Sequence, residues 1–364
     1  MRHIVRLDAA RGYCVLAVFA FHAGYLPFGW IGVQAFFVLS GFLITGILLQ
    51  AKQLNSFDKY VITFYARRAL RIFPVYYLYI FIIVVAAGVG GLYMAHKSHE
   101  ISQINYAIPY LLLYMENIRA INDDYVNAGF YSHLWTLSVE EHFYLLWPLI
   151  VWFTPGRRLF SACVAVVIFS TLFRAGLLWY GGSEHFRTFA ANRISFSQFD
   201  AFAIGAITQI IPRKKIFLTT RSFIISLSLV VAAGELIVAA SRGSENELSY
   251  LSLGYTQDFP WIWSFVWGYT LLNVFFAHMI YILSNSADQG SKPLFGLFEI
   301  KQVANVGIIS YGFYIYHDPL LTVSRYFHDH YGLSIYFTQF MALADTISIS
   351  YAAITHPLAT GGDL

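Results

Sequence analysis

Apolar side chains run along this chain in blocks separated by short polar and basic stretches. The main blocks cover residues 9–27, 31–50, 74–94, 134–153, 159–180, 196–211, 219–240, 260–283, 301–325 and 332–355. A helix through the roughly 30 Å hydrocarbon layer of a bilayer needs about 20 predominantly apolar residues at 1.5 Å each, and these blocks approach or reach that length. The pattern predicts an all-α fold, a polytopic bundle of about ten transmembrane helices. A further block, 105–118, is shorter and carries Pro109 and Glu116. It is expected to dip into the bundle or lie at its surface without crossing, which is tolerated where protein buries the irregular backbone. No long polar segment is left over, so the chain reads as one integral membrane domain over residues 1–364.

Composition agrees. Of 364 residues, 58% are hydrophobic, 18% aromatic and only 12% charged, about half the charge of a soluble domain. Mean hydropathy is +0.58. The net charge of +3 matters less than where the basic residues fall. If 105–118 does not cross and both termini are cytoplasmic, sixteen of the 23 basic residues lie inside, including Arg67, Arg68, Arg71, Lys215 and Lys292. Six lie outside, among them Lys97, Arg119 and Arg325, and Arg174 sits within the membrane. Eleven crossings divide the charges less well, so the positive-inside rule selects ten. The basic residues flank spans and form no nucleic-acid surface. Arg2 and Arg6 precede an apolar run as in a secretory signal, but Arg11 interrupts it and no small-x-small cleavage site follows, so a retained first helix is expected. Cys14 and Cys163 fall within spans and read as small core residues.

Ionisable residues inside apolar helices are costly and by default face the bundle interior or a pathway. Arg11 and His22 stand eleven positions apart, three helical turns with roughly 20° left over, so they share a face about 16 Å apart. A buried histidine can equally be a satisfied core residue. Arg68 and Arg71 also share a helix face, which suits a bidentate grip on phosphate or, more plainly, a cytoplasmic anchor. Glu140 and Glu141 project about 100° apart, so only one is expected to line a given pocket. On the ten-span topology His22, both glutamates, Asp200, Glu235, His317 and Asp318 gather in the outer half of the membrane. Pro319 after His317 and Asp318 could open a small polar cavity or mark a helix end. Asp200 could cap the start of its helix, with Ala203 and Gly205 allowing close packing. Phosphate loops of P-loop type and H-E-x-x-H, C-x-x-C and G-x-S-x-G motifs do not occur, and no metal site is expected. His3 and Asp8 have the H-x-x-x-x-D spacing of glycerolipid acyltransferases, without that family's other blocks.

Six blocks together resemble the membrane acyltransferase-3 family, whose members O-acylate polysaccharides, peptidoglycan, lipid-linked sugars and small natural products. They are LDAARGYCVLAVFAFHA, GVQAFFVLSGFLIT, FYARRALRIFPVYY, HLWTLSVEEHFYLLWPL, FDAFAIGAI and ISYGFYIYHDPL, in the family's order and spacing over nearly the whole chain. The resemblance implies that Arg11 and His22 match its arginine, ten residues, histidine motif, with His22 essential for transfer. It further implies that Arg68 and Arg71 match paired arginines that handle the donor, Glu140 and Glu141 its double acid, and His317 the late-helix histidine. Three positions depart. Gln34 replaces an acidic residue or asparagine, Asp318 a usual aromatic, and AITHPLA lacks the usual arginine and glutamate. No hydrolase-like domain follows the last span, so acceptor selection is expected to rest on the integral domain or a partner.

The expected activity is O-acylation of a carbohydrate or glycolipid acceptor at a bacterial inner membrane, using acyl-CoA, most simply acetyl-CoA, as co-substrate and no resident cofactor. The donor phosphates are expected on Arg11, Arg68 and Arg71. His22 would act as base or acyl carrier, with Glu140 or Glu141 orienting its imidazole, and His317 would help hold substrate. A transporter of acyl groups or sugars, its polar layer serving as a pathway, is the alternative; the chain shows no internal symmetry to favour it.

Overall fold

The computed structural model describes residues 4–93, 98–122, 125, 129–214, 219–242, 250–255, 263–285 and 296–355. Lys97, Lys215, Lys292, His3 and the His356 and Pro357 of AITHPLA lie outside the described residues. Among the described residues the secondary structure is helical, with no β-strand. The helices in chain order are α1 (Val5–His22), α2 (Ile31–Leu54), α3 (Phe57–Tyr93), α4 (Ser98–Leu112), α5 (Glu116–Arg119), α6 (Trp135–Phe153), α7 (Gly156–Tyr180), α8 (Glu184–Arg193), α9 (Ser195–Ile210), α10 (Thr220–Ser241), α11 (Ser264–Leu283), α12 (Lys301–Ile308), α13 (Ser310–Tyr331) and α14 (Ile335–Thr355). A 3-10 turn, Ser132–Leu134, leads into α6.

The fold is an all-α membrane bundle. Among the described residues five helices, α2, α3, α7, α10 and α11, are long and apolar enough to cross by those criteria alone. The helices holding His22, Glu140 and His317 are not among them, because polar groups interrupt their apolar runs. α7 and α10 present exposed leucines such as Leu172, Leu229 and Leu236, the surface that lipid covers. The basic stretch ahead of the 74–94 block, with Arg68 and Arg71, is part of α3, whose 37 residues extend about 55 Å and run on through Pro74. The 105–118 block folds as α4 and α5. With 15 residues, α4 is about 22 Å long and falls short of the hydrocarbon layer. The 301–325 block is two helices, broken at Ile309, and α13 runs twelve residues past Pro319, so Pro319 does not end it.

The centre of the bundle is the contact between α2 and α9, with α1, α6 and α11 packed around it. Backbones approach closely at two glycines. A Cβ on Gly41 would stand 2.0 Å from the Phe202 carbonyl oxygen, and one on Gly205 2.0 Å from that of Val38. Small residues permit such contacts between membrane helices, where dispersion and packing replace the hydrophobic effect. Next to them Phe202 stacks on Phe143 of α6 at 4.1 Å and on Phe37 of α2 at 4.9 Å.

Two buried ion pairs tie the bundle together. Arg174 of α7 donates to Asp200 Oδ2 of α9 at 2.8 Å, to Thr270 Oγ1 of α11 at 2.8 Å, and to the carbonyl of Ser197. Thr270 Oγ1 in turn donates to Asp200 Oδ2 at 2.8 Å. Asp200 therefore does not cap α9: it is the sixth residue of that helix, and its partner is an intramembrane arginine. On α5, Arg119 grips Glu116 through two bonds of 2.9 and 2.8 Å, both residues fully buried. Arg119, expected on an outer loop, is thus part of the fold. Breaking one half of such a pair leaves an uncompensated buried charge. Arg174→Met is expected to cost roughly 3–5 kcal/mol, and Arg174→Met/Asp200→Leu to recover most of it, read from unfolding midpoints in detergent.

Candidate active site

Five helices enclose a cavity of about 270 Å³. α1 contributes Asp8 and Arg11, α2 Ser40, α3 Arg68 and Arg71, α6 Thr136, Glu140 and Tyr144, and α13 Ser310, Tyr311 and Tyr314, over a lining otherwise of leucine, isoleucine, valine and phenylalanine. Residues three and four apart on a helix share a face. That periodicity brings Asp8 and Arg11 to the cavity from α1, and Leu137, Glu140 and Tyr144 from α6. Three guanidinium groups here face two carboxylates, which leaves the cavity net positive. Glu140 accepts a hydrogen bond from Ser40 Oγ at 2.9 Å. The Arg68 guanidinium lies over the Tyr144 ring at 5.1 Å, a cation–π contact that orients it. Arg11 Nε is buried and has no hydrogen-bond partner among the described residues. Such an orphan donor in a positive cavity is fitted to an anion.

A second set of polar groups lies at the other end of α1. His22, its last residue, places Nδ1 2.9 Å from Nε2 of His317 on α13, and 3.1 Å from the Val18 carbonyl oxygen. His317 Nδ1 is 2.7 Å from the Tyr314 carbonyl oxygen. A carbonyl only accepts, so His317 carries its proton on Nδ1 and, when neutral, accepts at Nε2. His22 must then donate from Nδ1, which leaves a lone pair on its own Nε2. The backbone of α13 thus fixes the tautomer of His22 through one intervening imidazole. His133, buried just before α6, is the third member of the group: its ring centroid is 5.3 Å from that of His317, and its Nδ1 is 3.5 Å from Asp318 Oδ2.

Tyr314 and Thr136 join the two regions. Both line the arginine cavity. Thr136 Oγ1 donates to the Tyr314 hydroxyl at 2.7 Å, and that hydroxyl donates to the His133 carbonyl at 3.0 Å. The Tyr314 ring lies 5.3 Å from that of His317.

The structure therefore brings Arg11, Arg68, Arg71 and Glu140 together, and His22 and His317 together, in adjoining layers. One expectation is corrected: the hydrogen-bond partner of His22 is His317, and neither Glu140 nor Glu141. The reason is depth. The 3-10 turn puts His133 beside the histidines, and Glu140 lies seven residues, about 10 Å, further along α6, among the arginines. Glu141, about 100° round the helix, does not line the cavity. Sequence reasoning did not single out His133, Ser40, Thr136 or Tyr314. The seven-residue interval between His133 and Glu140, two turns on one face, was the available signal for the first. The H-x-x-x-x-D spacing set aside as chance does end on a residue of the cavity, Asp8.

A family profile described as an acyltransferase domain, acyltransferase-3, matches residues 4–354. The chain belongs to the acyltransferase-3 family. As a member of that family it is an acyltransferase. Similar curated proteins include the putative peptidoglycan O-acetyltransferase YrhL of Bacillus subtilis, 25% identical over 99% of this chain and 56% of that protein. The O-acetyltransferase OatA of Staphylococcus aureus is 25% identical over 99% of this chain and 58% of its own length. The peptidoglycan O-acetyltransferase OatA of Listeria monocytogenes is 25% identical over 89% and 50%. The chain thus spans somewhat more than half the length of most of these relatives. No solved structure matches it.

The two adjacent glutamates of this acyltransferase-3 chain are expected to separate cleanly on substitution. Glu140→Gln removes the charged acceptor of Ser40 and half of the cavity's counter-charge, and should lower acyl transfer by about 10- to 100-fold, the equivalent of about 1.5–3 kcal/mol. Glu141→Gln should leave it within about threefold. Initial rates of the two purified variants, side by side, check this.

Proposed function

We propose that this acyltransferase moves an acetyl group from acetyl-CoA, bound from the cytoplasmic side of a bacterial inner membrane, to a hydroxyl of a carbohydrate or lipid-linked glycan on the outer side, with both of its termini cytoplasmic. The observation that carries this reading is one net-positive cavity ending at Tyr314, whose ring lies beside that of His317, the hydrogen-bond partner of a histidine, His22, whose Nε2 lone pair is uncommitted. The names of the relatives, peptidoglycan O-acetyltransferases among them, favour an acceptor of peptidoglycan type.

In the proposed reaction Arg11, Arg68 and Arg71 hold the phosphates of the donor by charge-assisted hydrogen bonds, the role for which planar guanidinium groups are suited. Glu140 and Asp8 keep the guanidiniums apart and oriented. The pantetheine arm lies along the apolar lining toward Tyr314, a span comparable to the rise of about 16 Å between Arg11 and His22. His22 Nε2 then has two uses at the same atom. As a base it takes the proton of the acceptor hydroxyl as the oxygen attacks the thioester carbonyl and the thiolate of CoA departs. As a nucleophile it forms an acyl-imidazole, releases the thiolate, and passes the acyl group to the acceptor hydroxyl. Either way a positive charge develops on the His22–His317 pair.

The test is release of free CoA from acetyl-CoA by the detergent-purified protein, with a glycan acceptor present. His22→Ala is expected to lower the rate by about 10²- to 10⁴-fold. Arg68→Ala/Arg71→Ala is expected to raise KM for acetyl-CoA by roughly 100-fold, with turnover at saturation little changed, because the lost contacts bind ground state and transition state alike. Wild-type protein that binds acetyl-CoA without cleaving it, or a His22→Ala variant as fast as wild type, would overturn the reading.

A further inference from the structure

The reaction outlined above uses His22 and His317 but leaves two buried ionisable residues beside them without a task. His133 and Asp318 have side chains only 1% and 8% exposed. His133 Nε2 is 3.1 Å from the Ile315 carbonyl oxygen, so it carries a proton and donates it there. The other ring nitrogen, Nδ1, has no hydrogen-bond partner of good geometry among the described residues and faces Asp318 Oδ2 at 3.5 Å. A lone pair against a carboxylate would be repulsive, so the gap between them is built for one proton. The second carboxylate oxygen, Oδ1, lies 3.6 Å from Arg325 Nη2, one face and two turns further along α13, where Arg325 is half exposed. Asp318 is thus fixed between an imidazole and a guanidinium.

One carboxylate therefore stands against three imidazoles whose rings succeed one another at 4.9 and 5.3 Å. Asp318 follows His317 on α13 and faces His133, so its carboxylate lies beside the histidine group. Glu140 is committed two turns deeper, against the arginines. A buried cation with no counter-charge costs several kcal/mol, and preorganised charge is worth most where water is excluded.

We propose that Asp318 is a positioning residue for transfer: held by His133 and Arg325, its carboxylate supplies the negative charge against which the His22–His317 pair takes up a proton. This rests on His22 being the base or acyl carrier, so the experiment separates the two. The charged and titratable groups around the pair are His133, Asp318 and Arg325, with the phenols of Tyr314 beside His317 and of Tyr79 and Tyr316 nearby.

The experiment measures CoA release and its pH profile for wild type, His22→Ala, Asp318→Asn, Asp318→Glu and Arg325→Gln, with unfolding midpoints in parallel. The acid limb of kcat/KM reports the proton on His22 that must be absent for transfer. With the carboxylate gone the cationic form is harder to reach, so in Asp318→Asn the limb moves to lower pH by about one unit or more, and turnover falls about tenfold or more with KM for acetyl-CoA unchanged. Asp318→Glu keeps the wild-type limb and most of the turnover. Arg325→Gln, which removes a competing positive charge at a half-exposed position, moves the limb the other way, to higher pH. The opposite signs decide the matter even if Asp318→Asn folds poorly. An acid limb unmoved in Arg325→Gln and in whichever Asp318 variant folds would show that Asp318 only packs, and the proposal fails. A His22→Ala variant with full activity would instead remove the reading on which it rests.

Discussion

A charged group inside an apolar bundle must find a partner, and the whole architecture is organised by how each one does so. Some are met within the protein by a single opposite charge. Arg174 meets acceptors on α9 and α11 and locks α7, α9 and α11 into one unit, while Glu116 and Arg119 satisfy each other on one short helix and hold the segment that does not cross. Others are left open. Three arginines face two carboxylates in a cavity, and Arg11 retains a buried donor with nothing to bind. That contrast separates scaffold from site here. Satisfied charges cannot engage a substrate without being torn from their partners, whereas unsatisfied ones have their desolvation already met and need only a ligand.

The sequence carried much of this because helical period is written in it. The apolar blocks gave the bundle, the 105–118 block folds as two helices too short for a span, and the spacings of Arg11 with His22 and of Arg68 with Arg71 put each pair on one face. What period cannot give is the relative depth of different helices. Glu140 and Glu141 were assigned to the depth of His22 because their block enters from the outer side on the ten-span topology; the 3-10 turn at Ser132–Leu134 gives that depth to His133 instead. Asp200 looked like a cap for the same reason: its arginine lies 26 residues away on another helix. Breaks inside apolar runs, such as that at Ile309, and continuations through proline, as at Pro74 and Pro319, are likewise decided by tertiary packing and not by local propensity.

Asp318 shows a different kind of illegibility. At a position where the resembled family usually has an aromatic ring, this chain has a carboxylate, and from sequence alone that reads as a defect in the lining. In the structure the same residue is bracketed by Arg325, two turns along its own helix, and by His133, from a position the sequence offers no reason to pair with it. A departure from a pattern that arrives with two fitted partners is better read as a variation in how the histidine layer is charged than as loss of a contact.

The two layers are also held at fixed separation without any hinge. Three helices each supply a residue to both: α1 gives Arg11 and His22, α6 Glu140 with His133 just ahead of it, and α13 Tyr311 and His317. The intervals of eleven, seven and six residues correspond to about 16, 10 and 9 Å along their helices. Since α-helices neither stretch nor compress appreciably, a donor anchored by its phosphates in one layer is measured against the histidine layer by three rods at once. In the proposed reaction this is where positioning comes from: the reactive carbonyl need only sit at the right distance along the arm, with Tyr314 and Thr136, hydrogen-bonded to each other and to the His133 backbone, as the fixed stop between the two layers.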